Sequence, residues 1–236
     1  QKGMLPAALA QPAGYDIAAI NESSMQVGGD YYDVIPLSDH EFAIAIGDVS
    51  GTRLPTSLLM ANVQAALRSM APLRLALPEA TQRLNALVYS NTQADKFITF
   101  FWGILDTKAH TLTYVNAGHN PPYLMKPDGS FLPLSTGGLI LGVLDEAPPY
   151  DEECIAISPG DVIITYTDGV NEALSKDMEE FGNERLELLL AELVDGSPSD
   201  LIHTVRERIL AFTAGAKQSD DITMLVVKRI RFRHPE

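Results

Sequence analysis

The sequence predicts an α+β sandwich: two stacked antiparallel β-sheets with helices on their outer faces. Three observations carry this. From Phe97 to Thr167 a series of short strand-like runs follows without a helical pattern between them, so the strands pair mainly antiparallel. About four helical patterns lie outside that stretch, and a parallel βαβ winding is disfavoured because strands and helices do not alternate. A chain of 236 residues with 46% hydrophobic and 20% charged residues can bury one sizeable core, which excludes disordered, collagen-like and coiled-coil classes. The layer arrangement that buries both faces of each sheet puts the helices outside, giving an αββα order.

The elements follow in order. Residues 1–13 (QKGMLPAALAQPA) read as the end of a linker helix running into a Pro/Gly segment, left from an upstream regulatory domain, and 14–236 as one domain. Strand-like runs come first, at Tyr15 to Ile20, Tyr31 to Leu37 and Glu41 to Gly47. Two helices start near Pro55 and Pro78, where proline suits the first turn. Leu59, Met60, Val63, Leu67 and Met70 line one buried face, and Ala80, Leu84, Leu87 and Val88 the other, with Asn91 as a stop. Next come FITFFWGIL, TLTYVNAG, PYLMK, SFLPL, CIAI and DVIITYT, separated by turn chemistry such as Pro127-Asp128-Gly129 and Ser158-Pro159-Gly160. Helices at Glu184 to Val194 and Ser199 to Phe212, the second capped by Ser197, precede a last strand at Ile222 to Ile230. Trp102 and the methionines read as core.

Seventeen Lys+Arg against thirty-one Asp+Glu give a net charge of −14, which argues against nucleic acid and anionic membrane partners. The basic tail of Lys228, Arg229, Arg231 and Arg233 reads as a charge-guarded edge strand. Cys154 stands alone and no Cys/His cluster has zinc spacing, so a reducing, cytoplasmic compartment is expected. The longest apolar run, Phe97 to Leu105, is too short to cross a bilayer, so no membrane contact is expected of this segment.

Chemistry concentrates in aspartates at strand ends. If Leu37 pairs with Glu41 across Ser38-Asp39-His40, the same register sets Asp30 opposite Asp48. Two carboxylates facing each other are tolerable only with a cation between them or with one acid protonated. Asp168 ends one strand run and Asp220 precedes another, so their ends coincide if the two lie antiparallel. Four oxygen anions without sulfur or paired imidazole ligands suit Mg²⁺ or Mn²⁺.

Five ordered motifs then carry a family resemblance: GGDYYD from Gly28, GDVSG from Gly47, NAGHNPP from Asn116, TDGVNEA from Thr167 and DDIT from Asp220. Together they resemble the bacterial SpoIIE/RsbU-type branch of the metal-dependent, type-2C protein phosphatases. The resemblance implies the four-layer type-2C sandwich with two Mn²⁺ or Mg²⁺ ions. It makes Asp30 and Asp48 the acids that hold or bridge the metals, with Asp168 and Asp220 on one metal and the Val49 carbonyl completing a shell. Asp33 and Asp221 become supporting acids behind the ligands, Asp33 alternatively a solvated strand acid. The implied reaction is hydrolysis of a phosphoserine or phosphothreonine by metal-activated water, without a phosphoenzyme. The implied substrate is a phosphorylated regulatory protein, an anti-sigma-factor antagonist, in a signalling pathway under an upstream sensor domain that could act through a homodimer.

Two departures qualify the match. Relatives in the eukaryotic branch carry a histidine where this chain reads Val49-Ser50; His119 is the substitute to consider as proton donor, against a histidine held by a turn, and Asn116 reads as structural. The group usually continues GDVSG with a basic residue and a glycine, whereas this chain has Thr52-Arg53, so Arg53 is the candidate for the missing positive charge and a positive-φ position is lost. A catalytically silent metal-binding regulatory module of the same fold is therefore the competing expectation.

Overall fold

The computed structural model describes residues 5–6, 8–51, 54–92 and 96–231, with the side chains of 54 and 55 excepted. Two sheets stack face to face. The first has the order β1 (Tyr15–Glu22), β11 (Ile222–Arg229), β10 (Val162–Tyr166), β6 (Tyr123–Met125), β7 (Phe131–Pro133). The second runs β2 (Tyr31–Pro36), β3 (Glu41–Val49), β4 (Ile98–Asp106), β5 (Thr111–Ala117), β8 (Gly137–Gly138), with β9 (Glu153–Ala156) also paired to β5. Helices α1 (Leu54–Met70) and α2 (Leu77–Asn91) cover the second sheet, and α4 (Asn183–Glu192) and α5 (Pro198–Thr213) cover the first. A short α3 (Asp168–Asn171) follows β10.

Alternation along the strands sorts side chains into three buried layers. Tyr32, Val34, Ile44, Ile46, Phe101, Ile163, Leu225 and Val227 fill the space between the sheets. Tyr31, Ala45, Val49, Phe100 and Trp102 point the other way, onto Leu59, Val63, Leu67, Leu84 and Val88 of α1 and α2. Val162, Ile164, Tyr166, Met224 and Val226 meet Leu186, Leu190, Leu201, Val205 and Ile209 of α4 and α5. The predicted αββα order is what forms.

Two local expectations are corrected, the edge position of the last strand and the burial of every methionine. The basic C-terminal strand is not an edge: β11 lies between β1 and β10, buried on both faces, and its end charges cap carbonyls. Lys228 Nζ donates to Val194 O and Gly196 O, and Arg229 donates to Ile157 O, while Arg233 lies outside the described residues. The named strands pair mainly antiparallel as expected, with β5 and β8 the parallel pair. Directly after β10, Asp168 opens the short helical turn α3. Met60, Met125 and Met224 are core as expected, but Met25 and Met178 are exposed. Ser197 caps α5 as read, its Oγ accepting from Asp200 N at 3.1 Å. Among the described residues no helix is long and apolar enough to cross a membrane.

Candidate functional site

The β2–β3 hairpin adopts the predicted register, with Leu37 N donating to Glu41 O at 2.8 Å and Tyr31 paired with Gly47. One step further sets Asp30 opposite Asp48. Both belong to the strand face that carries Tyr32, Val34, Ile44 and Ile46, so both carboxylates open into the space between the sheets. In the other sheet Tyr166 pairs with Met224, and Thr167 N donates to Thr223 O at 3.0 Å, which carries the ladder to its end beside Asp168 and Asp220. The two sheet ends meet at a hydrogen bond: Thr167 Oγ1 donates to Asp30 Oδ2 at 2.8 Å.

The four carboxylates share one electrostatic field. Asp30 is buried, and burial followed by repulsion from Asp48 raises its carboxyl well above the usual range. Asp48 is pushed up to about 7, first by burial and then by Asp168 and Asp220. Burial, then Asp220, raises Asp168, and burial raises Asp220. Glu172, one turn on from Asp168, is raised by burial and then by Asp168. Such a cluster is under charge stress that a cation would relieve.

The residues present fit a pair of hard divalent cations. Gly29 lies where a Cβ would come within 3.0 Å of Val49 O and 3.4 Å of Asp48 Oδ1, so the absent side chain keeps both oxygens clear. Among the described residues no group of three or more His, Cys, Asp or Glu side chains is arranged to hold a metal ion by itself.

Of the other predicted residues, Asp221 lies beside this cluster while Asp33 is turned away from it. Asp33 is neither solvated nor in contact with the acid cluster. It faces α1, where Arg68 forks onto it with Nε–Oδ2 at 2.7 Å and Nη2–Oδ1 at 3.0 Å, and Tyr31 donates to Oδ2 at 2.7 Å. The reason is strand parity, since positions 30 and 33 lie on opposite faces of β2. The Asp221 carboxylate accepts from Ser24 N at 2.7 Å, Ser24 Oγ at 3.1 Å and Gly29 N at 2.8 Å. His119 is buried, with Thr99 Oγ1 at 2.9 Å from Nδ1 and its backbone N donating to Asn116 Oδ1 at 2.7 Å. Asn116 also donates to His119 O and Leu134 O, both at 3.1 Å. Burial lowers the imidazole to about 4, so it is neutral at pH 7. Arg53 and Thr52 lie outside the described residues.

Three contributors carried no assigned role in the sequence. Thr167 sat inside a quoted motif, but its hydroxyl link to Asp30 needs the two sheets stacked. Arg68 lies in the last turn of α1 with no motif around it; only the helix-facing parity of Asp33 hinted at a partner. Lys96 Nζ donates to Ser50 O at 3.3 Å and lies over Gly51, placing a cation beside the loop that follows Asp48.

Comparison with known proteins agrees with this geometry. The family model described as Stage II sporulation protein E (SpoIIE) matches residues 38–230. The chain is 28% identical to Protein IcfG of Synechocystis sp., over 97% of this chain and 40% of that protein. It is also 28% identical to phosphoserine phosphatase RsbU of Bacillus subtilis, over 97% of this chain and 68% of that protein. Among solved structures, the RsbU and RsbW domains of Rv1364c from Mycobacterium tuberculosis superpose with a TM-score of 0.78 at 25% identity, covering 94% of this chain and 62% of that one. With the motif order, the two-sheet sandwich and the match over most of its length in agreement, the chain belongs to the SpoIIE family and has the fold of the type-2C phosphatase structures.

Proposed function

We propose that this domain hydrolyses phosphoserine or phosphothreonine on a protein, using two Mn²⁺ or Mg²⁺ ions held by Asp30, Asp48, Asp168 and Asp220 with the Val49 carbonyl. The observation that carries the reading is the convergence of four carboxylates, two from each sheet, at one end of the sandwich. When bound, such ions lower the pKa of water and neutralise phosphate oxygens, which is the chemistry a phosphoric monoester requires. The chain's own residues hold and orient. Thr167 donates to one carboxylate oxygen of Asp30, and Thr223 contributes a further side-chain hydrogen bond to the same acid. The bare Cα of Gly29 keeps Val49 O and Asp48 open. His119 is held neutral by burial and carries no imidazolium proton at pH 7, which favours its reading as a turn-positioned residue over a proton donor. Likeness to a phosphoserine phosphatase supports a phosphoserine protein as substrate, and the resemblance carried by the motifs favours a small regulatory protein of the anti-sigma-factor antagonist kind.

Phosphate release from a phosphoserine protein, measured with Mn²⁺ and with chelator, tests this beside Asp168→Asn. Release that needs Mn²⁺ and is lost in the variant is expected. Metal-independent release, or full activity in Asp168→Asn, would show the assigned residues to be wrong. A second reading, a metal-binding regulatory module without turnover, draws on the Thr52-Arg53 departure and the neutral His119. Calorimetric Mn²⁺ binding with no release from any phosphoprotein would favour it.

A further inference from the structure

We infer that Asp221 is a positioning residue: its carboxylate latches the 23–29 loop of one sheet onto the end of the other and so sets the spacing between the Asp30–Asp48 and Asp168–Asp220 halves of the metal site. The consequence for metals rests on the function proposed above; the latch itself does not.

The observations converge on one buried side chain. Asp221 lies next to Asp220, at the entrance to β11, yet all three of its hydrogen bonds from the loop run to Ser24 and Gly29, nearly two hundred residues away in sequence. Gly29 immediately precedes Asp30, so the latch ends one residue from the acid it positions. Both carboxylate oxygens are engaged: Oδ1 takes the two donors of Ser24, and Oδ2 takes the Gly29 amide. That occupancy separates its role from that of its neighbour Asp220.

The surrounding glycines are shaped to the same carboxylate. A Cβ on Gly28 would collide with Asp221 Oδ2, and one on Gly169 would collide with the Asp221 carbonyl oxygen. The loop thus closes on the side chain of Asp221 while the first turn of α3, which carries Asp168, closes on its backbone. Thr167 completes the circuit, since the hydroxyl that donates to Asp30 also lies 3.4 Å from Asp221 O and accepts from Thr223 N at 3.1 Å. Partners that orient metal ligands from behind change metal affinity by about 10–100-fold when removed.

The test uses Ser24→Ala, Asp221→Asn, their double variant and Gly28→Ala, read in two ways. Amide hydrogen exchange at Ser24 and Gly29 is followed in metal-free protein, and Mn²⁺ affinity is measured by calorimetry. Asp221→Asn sets an amide group where Oδ1 or Oδ2 must accept, so exchange at Ser24 or Gly29 should quicken and Mn²⁺ affinity should fall about 10–100-fold. Exchange in β4 and β5 should stay as it was, which a general loss of structure would not allow. Ser24→Ala, which removes the hydroxyl donor and keeps the amide one, should move both readouts the same way by less, and the double variant should match Asp221→Asn alone because the Ser24 hydroxyl acts through the Asp221 carboxylate. Gly28→Ala should act like Asp221→Asn by displacing the carboxylate.

Weakened Mn²⁺ binding in Asp221→Asn with exchange unchanged at Ser24 and Gly29 would make Asp221 a direct ligand and overturn the latch. Faster exchange with unaltered Mn²⁺ affinity would leave a structural contact and overturn the positioning role. If the unsubstituted protein itself fails to bind Mn²⁺, the metal reading falls and the positioning role with it, while exchange in metal-free protein still reports separately on the latch.

Discussion

Replacing Asp48 by asparagine should stabilise the metal-free protein while removing its response to metal. Burial, with Asp168 and Asp220 adding to it, raises the Asp48 carboxyl from 3.8 to about 7. A rise of that size corresponds to about 4 kcal/mol as a ceiling. Proton sharing with Asp30 and water at the open end of the sandwich reduce this, so a gain of about 2 kcal/mol is expected at pH 8. The sign follows from linkage. A carboxyl raised in the folded state binds more protons than in the unfolded chain, so the folded protein loses stability as pH rises from the unfolded value through about 7. Asparagine removes that loss, so the gain is full at pH 8 and shrinks toward pH 5, where the native carboxyl is already protonated. With Mn²⁺ at a hundred times its dissociation constant the native protein should gain about 2.7 kcal/mol and the variant much less. Urea unfolding in chelator and in Mn²⁺, at both pH values, measures all of this. A metal-free Asp48→Asn protein less stable than the native one at pH 8 would refute the reasoning, because burial and the neighbouring acids would then not be penalising the Asp48 charge.

Other consequences are equally specific. Arg68→Met leaves the buried Asp33, among the described residues, with Tyr31 and the Val34 amide of its own strand as partners; because the Arg68 side chain is 46% exposed, water softens the loss to about 2–3 kcal/mol by urea unfolding. The double variant Asp33→Asn/Arg68→Met should cost less than Arg68→Met alone. Gly169→Ala drives a Cβ into the Asp221 carbonyl and should cost about 1–3 kcal/mol, with weaker Mn²⁺ binding by calorimetry. His119, lowered to about 4 by burial, should show no ring titration above pH 5 by NMR. Because the unfolded chain protonates that ring first, the stability it contributes is present above about pH 6.5 and is lost as pH falls toward 4.

Much of the fold could be read because alternation is strong where both faces of a strand are covered. The register of β2 with β3 followed from a three-residue connection, and that register alone brings Asp30 to Asp48. Sheet order was harder. The basic tail of β11 looked like edge protection, yet its charges reach back to carbonyls at the end of α4, a contact set by the fold and not by local sequence. Asp33 misled for a related reason: it stands three residues from Asp30, inside a quoted motif, but an odd offset turns it to the helix side, where Arg68 waits thirty-five residues along. Links between the sheets, such as Thr167 with Asp30 and Asp221 with Ser24, join residues far apart in sequence and carry no local pattern.

Anomalous diffraction from crystals soaked in Mn²⁺ tests the central claim most directly. Peaks within coordinating distance of Asp30 and Asp48 and of Asp168 and Asp220, with Asp221 still bound to Ser24 and Gly29, are the predicted result. Peaks confined to other carboxylates, with none at this end of the sandwich, would contradict it.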